Sequence, residues 1–167
     1  MLTLGVLFAT YEDDPTILPI DSTDPVAPTG QTIPTLEHEI VSRLRDILRI
    51  REEAYRLRSP EYLRSIYSSD CPCLMNDERA IKELLDRNYR WRGIATSIEV
   101  RRVTRINNQL WIVVAVLKSK ALRIERGDGR LIRIEPAGND LFQFALVRPR
   151  GAEQWLLGLV SNVGVQR

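Results

Sequence analysis

Residues 94–117 read IATSIEVRRVTRINNQLWIVVAVL, and the spacing of their apolar side chains decides the fold class. Ile98 and Val100 alternate with polar neighbours, as on a half-buried strand. At Arg101-Arg102 the parity slips to Val103, which predicts a β-bulge at the arginine pair. Asn107-Asn108 makes a turn into residues 110–117, apolar on both faces and therefore a central strand. Upstream of Gly93 the period is different. From Thr35 to Asn88 the apolar residues recur at helical spacing, so helices come first and strands follow. That order argues for an α+β domain with helices packed on one face of a largely antiparallel sheet.

Working back from the strands, Thr35 is placed to cap a long first helix. Ile40, Leu44, Ile47, Leu48, Arg51, Ala54, Tyr55 and Leu57 form its broad apolar face. Ser59-Pro60-Glu61 is a strong start for a short second helix carrying Tyr62, Leu63, Ile66 and Tyr67. Asn76-Asp77-Glu78 is read as opening a third, with Ala80, Ile81, Leu84 and Leu85 inward and Tyr89 and Trp91 near its end. Working forward, the central strand is read as running past Lys118 to Glu125, because Gly127-Asp128-Gly129 is the next clear turn. Residues 131–135 form a strand and Pro136-Ala137-Gly138-Asn139-Asp140 a turn. Residues 141–148 place Phe142, Phe144 and Leu146 on one face, and residues 155–160 close the sheet.

The net charge of +2 conceals an asymmetry. Residues 1–33 hold five acids and no Lys or Arg, whereas the remainder carries all 24 basic residues against 17 acids. This pattern suits either an anionic partner or an acidic lead that screens a basic domain. Residues 1–10 are nearly all apolar but too few to span a bilayer, which takes about 20. They read as the end of a membrane or signal helix, followed by acidic residues that suit the non-cytoplasmic side. The competing reading docks them on the domain as a strand. Residues 11–34, with five prolines, form an acidic Pro-rich spacer. Residues 35–163 are the folded domain and 164–167 a tail.

Cys71 and Cys73 are the only cysteines. With one distant histidine, His38, they do not make up the roughly four ligands of a zinc site, so no metal and no cofactor is assigned. A disulfide pinning the turn between two helices, two free thiols and a redox pair stay open; export would favour the disulfide.

The long helix, Glu53-Ala54-Tyr55 followed by Ser59-Pro60-Glu61-Tyr62-Leu63, a turn, a third helix and then Trp91-Arg92-Gly93 leading into strands resembles the nuclear transport factor 2-like superfamily over about residues 35–163. With Ser69-Asp70-Cys71-Pro72-Cys73-Leu74, the chain is similar to exported actinobacterial domains of this fold. The resemblance implies a cone-shaped roll: three helices on a strongly bent, mostly antiparallel sheet, with an apolar pocket between them. Enzymes of the superfamily, such as ketosteroid isomerases and scytalone dehydratase, use an Asp or His projecting into that pocket. No residue carries over, since His38 lies at the start of the first helix and Asp128 and Asp140 are read in turns.

Tyr55, Tyr62, Tyr67, Trp91, Trp111, Phe142, Phe144 and Trp155 are the candidates to line the pocket, with ordinary core packing as the alternative. Glu99, Glu125 and Glu135 are the candidate general bases, although strand parity does not turn them inward. Arg101, Arg102, Arg105, Arg123, Arg126, Arg130 and Arg133 are read as a basic sheet face on neighbouring strands, or as members of cross-strand ion pairs. Interleaved glutamates and the lack of a stacking pattern argue against nucleic acid. The balance favours a non-catalytic, extracytoplasmic cell-envelope domain for interaction or ligand sensing, such as the assembly module of a membrane-anchored complex. Its partner is another envelope protein or a small apolar ligand, with membrane contact through the amino-terminal segment. The resemblance adds a homodimer formed through the sheet. The alternative function is a small-molecule isomerase or dehydratase using a pocket carboxylate.

Overall fold

The computed structural model describes residues 35–93 and 96–165. The segments read above as a membrane or signal helix end and a spacer lie outside them. Helix α1, Leu36–Leu57, buries Ile40, Leu44, Ile47, Leu48, Ala54 and Tyr55 along one stripe. The Thr35 side chain makes no cap bond; its carbonyl instead accepts from the His38 and Glu39 amides. Leu57, expected inward, is exposed because Arg58 turns into the left-handed region at φ 57° and ends the helix there. Residues Pro60–Ser65 form a 3-10 turn rather than an α-helix.

Helix α2 runs Pro72–Asp86, with Cys71 at its N-cap. It therefore starts four residues before the expected Asn76. Proline loses nothing at a first helical position, where the N–H would have no partner in any case. Cys71 and Cys73 are joined in a disulfide, with Cα atoms 5.1 Å apart, which places the bond inside the first turn of α2 and not in a loop between helices. Asp77, Ala80, Ile81 and Leu84 are buried, whereas Leu85 faces solvent.

The chain leaves α2 through Asn88 at φ 52°, a conformation that Asn tolerates better than most residues. It passes directly into strand β1, Tyr89–Arg92. Tyr89 and Trp91 thus belong to a strand and not to the end of a helix; their alternation with Arg90 and Arg92 is a period of two. Asn88 also packs beneath Gly127, where any Cβ would fall 2.2 Å from its side-chain nitrogen.

Six further strands follow: β2 Thr96–Asn107, β3 Leu110–Ser119, β4 Leu122–Arg126, β5 Leu131–Glu135, β6 Gly138–Val147 and β7 Leu156–Val165. They pair antiparallel as two sheets, ordered β2-β3-β6-β7 and β1-β4-β5. The expected bulge is present, with the β2–β3 register shifting between Val100 and Arg102. The expected run from Lys118 to Glu125 is broken: β3 stops at Ser119, and buried Leu122 opens β4 in the other sheet. Pro136 and Ala137 suffice for the next turn, so Asp140 lies in β6 rather than in a loop. The closing strand is also longer than residues 155–160.

One face of the four-stranded sheet packs on the helices through Trp111, Val113, Ala115, Leu117, Phe142, Phe144 and Leu146. Each buried Val, Leu or Phe among them contributes about 1.5–3 kcal/mol relative to leaving it exposed. Ile112, Val114, Leu141, Val147 and Leu159 lie on the opposite, outer face and none of these five is fully buried, whereas Val116 and Ala145 on the same face are. Among the described residues, no helix is long and apolar enough to cross a membrane.

Candidate functional site

Arg51 and Tyr55 are one turn apart on α1 and point into the interior, where Asp77 of α2 meets them. The Arg51 guanidinium grips the Asp77 carboxylate with two bonds, Nε to Oδ2 at 2.6 Å and Nη2 to Oδ1 at 2.8 Å. The Tyr55 hydroxyl donates to Oδ1 at 2.7 Å, and the Tyr67 hydroxyl to Oδ2 at 2.6 Å. A carboxylate 2% exposed thus has four donated hydrogen bonds. That is the arrangement under which a buried charge is tolerated. Burial alone would lower the Arg51 guanidinium, but Asp77 and then the two tyrosines more than reverse it, so its pKa is raised. Burial raises both tyrosines strongly; Asp77 adds to the effect and Arg51 partly offsets it.

The Tyr55 ring stacks on Trp91 of β1, with centroids 4.2 Å apart and planes 11° from parallel. This pair forms one wall of a cavity of about 290 Å³ between α1 and the sheets. Leu117, Leu122, Pro136, Ala137 and Phe142 supply further apolar lining. Polar groups collect around them: Glu52 from α1, Thr96 at the start of β2, Ser119 at the end of β3 and Lys120 just after it, Glu135 of β5, and Asp140 of β6. Asp140 shares the parity of Phe142, so it projects to the inner side of the sheet. Glu52 accepts from the Thr96 amide at 2.7 Å and from its hydroxyl. Burial raises its carboxyl pKa, with the Thr96 amide and Arg51 opposing that shift.

The sequence candidates divide among several places. Tyr55, Trp91 and Phe142 line the cavity. Tyr67 holds Asp77, while Trp111, Phe144 and Trp155 belong to the packed core. Tyr62 is 44% exposed on the 3-10 turn, outside the lining of this cavity. Of the three glutamates, only Glu135 reaches the cavity, and Arg133 pairs with it. Glu99 pairs with Arg101 at 2.8 Å and Lys118 at 2.6 Å, which lowers its pKa through Lys118 and then Arg101. Glu125 pairs with Arg123 at 3.2 Å and Arg92 at 3.7 Å.

The seven arginines do not lie on neighbouring strands. Arg101, Arg102 and Arg105 are on β2, whereas Arg123, Arg126, Arg130 and Arg133 follow β4 and β5 in the other sheet. The break after Ser119 separates the two groups. Arg101, Arg123 and Arg133 each pair with a glutamate two residues away on the same strand.

Asp77, Glu52 and Asp140 escaped the sequence reading. A signal for Asp77 was present, since Ala80, Ile81 and Leu84 stand three, four and seven residues after it and place it on the same helix face. Arg51, a charge within an apolar stripe, likewise requires a buried partner. Among the described residues, no group of three or more His, Cys, Asp or Glu side chains is placed to hold a metal ion.

No protein-family model matches the chain, and no curated protein does. Solved structures do match. The intermembrane space region of the chloroplast protein ARC6 superposes with a TM-score of 0.60 at 11% identity, over 77% of this chain and 96% of that one. A putative scytalone dehydratase from Novosphingobium aromaticivorans gives 0.50 at 13% identity, over 77% and 85%. An NTF2-like protein of unknown function from Rhodospirillum rubrum gives 0.48 at 12%, over 74% and 98%. The chain has the nuclear transport factor 2-like fold. At these identities the likeness establishes the architecture, and the NTF2-like roll hosts unrelated functions. Function must therefore be argued from the cavity and the surfaces.

Proposed function

We propose that this chain is a non-catalytic ligand-sensing domain whose cavity takes a small, largely apolar molecule. The observation that supports it most is the cavity itself: an aromatic stack and five further apolar residues line it together with polar groups. Its volume of about 290 Å³ falls just below the roughly 300–1,000 Å³ typical of ligand sites, which suits a small molecule. The test is titration with the neutral dye N-phenyl-1-naphthylamine. Saturable binding at one site per chain, abolished by Ala137→Trp in the lining, is expected. Unsaturable binding, or binding that Ala137→Trp leaves intact, counts against the reading.

In this reading the ligand state is conveyed through the outer face of β3, β6 and β7, where Ile112, Val114, Leu141, Val147 and Leu159 offer an apolar surface for a second copy or another envelope protein. An extracytoplasmic envelope location, with membrane contact through residues 1–10, is supported by the Cys71–Cys73 bond. An intermembrane space region among the structural neighbours agrees with it.

A second reading, an isomerase or dehydratase, is favoured by one specific observation: Asp140 is an inward carboxylate on a cavity wall. A general base needs that placement. Enone isomerisation or β-hydroxyketone dehydration that Asp140→Asn abolishes without unfolding the chain would establish it. No turnover across such substrates leaves the non-catalytic reading in place.

A further inference from the structure

We infer that the cavity selects a small amphipathic cation, with an aromatic or alicyclic body and a protonated amine. The inference rests on the cavity being a ligand site. Three carboxylates line it, from Glu52, Glu135 and Asp140, against the cations of Lys120 and Arg51. The charges are not equally available. Arg51 is committed to Asp77 through two bonds of 2.6 and 2.8 Å, and its field at Glu52 only partly opposes the effect of burial there. Glu135 is paired with Arg133 through a single ion-pair contact. The remaining balance inside the site is two carboxylates, Glu52 and Asp140, against one lysine.

Glu52 receives its hydrogen bonds from Thr96, whose amide and hydroxyl are both neutral donors. Charging a half-buried carboxylate carries a desolvation cost, and the raised pKa of Glu52 reflects it, with the Thr96 amide and Arg51 opposing. An ammonium group entering beside it would offset the cost, as any opposite charge within about 4–6 Å does. Asp140 lies two residues before Phe142 on the same side of β6, so the head of a ligand would meet it while the body rests on the ring. Tyr55 and Trp91 both line the cavity, and aromatic rings attract cations. Arg51 already sits 5.0 Å from the Tyr55 ring centroid, an instance of that attraction in this wall. A carboxylate ligand would meet Lys120 alone and be opposed by Glu52 and Asp140.

The test uses three probes of one shape on the full chain, each displacing N-phenyl-1-naphthylamine: 4-phenylbutylamine, 4-phenylbutan-1-ol and 4-phenylbutanoate. The amine is expected to bind at least tenfold tighter than the alcohol, with the acid weakest. Asp140→Asn and Glu52→Gln should each weaken the amine severalfold and leave the alcohol unchanged; two variants keep the test usable should one fail to fold. Equal binding of the three probes, or a preference for the acid, would overturn the cationic selectivity and leave the cavity as an apolar ligand site. Failure of the neutral dye to bind saturably would overturn the site itself, and this inference with it.

Discussion

Arg51 and Asp77, twenty-six residues apart on two helices, form a two-pronged ion pair inside the protein, with the guanidinium 11% and the carboxylate 2% exposed. The pair ties α1 to α2 at the point where Tyr55 also meets Trp91 of β1. It therefore joins both helices to the cavity wall. A buried pair of this kind adds little net stability against an apolar replacement, but breaking it strands a charge.

Asp77→Asn should accordingly destabilise the domain by about 3–5 kcal/mol, since Arg51 keeps its charge and loses its partner. Urea unfolding measures it. A loss near 0.5 kcal/mol, typical of surface sites, would mean that Arg51 reaches solvent or another carboxylate.

Tyr67→Phe removes one donor from the same carboxylate and should cost about 1.5–3 kcal/mol, the range for hydrogen bonds to charged groups. The same tyrosines set an alkaline limit. Their folded pKa values are raised, chiefly by burial, whereas in the unfolded chain they ionise near pH 10. Above about pH 10 the folded state therefore binds more protons than the unfolded one, and stability falls as pH rises. Below that pH this contribution is fully present. Unfolding free energy measured from pH 8 to 11.5 should be flat and then decline, less steeply in Tyr67→Phe; an unchanged slope in the variant would contradict the assignment.

Val114→Lys places a charge in the middle of the outer sheet face without entering the core. If that face docks a second copy, light scattering should show a dimer that this change converts to monomer while the melting curve of the monomer is retained. A wild-type chain that stays monomeric at about 100 μM would remove the second copy as the occupant and leave a different partner protein.

Protein produced under oxidising conditions should carry the Cys71–Cys73 bond. Mass spectrometry with alkylation before and after reduction reads it as two blocked thiols that become available only on reduction. Two thiols alkylated without reductant would show that the first turn of α2 forms without the bond.

Deleting residues 1–33 should leave the melting temperature within a few degrees, because the Pro-rich segment lacks the apolar periodicity needed to join a core. A fall of more than about 8 °C, roughly 2 kcal/mol for a domain of this size, would mean that residues 2–8 pack on the domain.

Local periodicity by itself determined the α+β order, the apolar stripe of α1, the bulge at Arg101 and the two-faced apolar character of β3, because each depends on side chains within a few residues. The same local rules misplaced the start of α2, the nature of Tyr89–Arg92 and the end of β3. There a proline fits a helix start as well as a turn, and a short apolar run fits a helix end as well as a strand. Only the tertiary structure decided the site. Asp77 becomes the centre of a buried network when α1 brings Arg51 and Tyr55 to it and the chain before α2 brings Tyr67. Asp140 becomes a cavity residue because the turn at Pro136-Ala137 closes early enough to put it on β6, in register with Leu117 of β3. The seven arginines separate because β4 pairs with β1 instead of continuing β3. Contacts between residues twenty or more positions apart leave no periodic trace in the sequence, and for a charged group it is those contacts that set whether burial is tolerated.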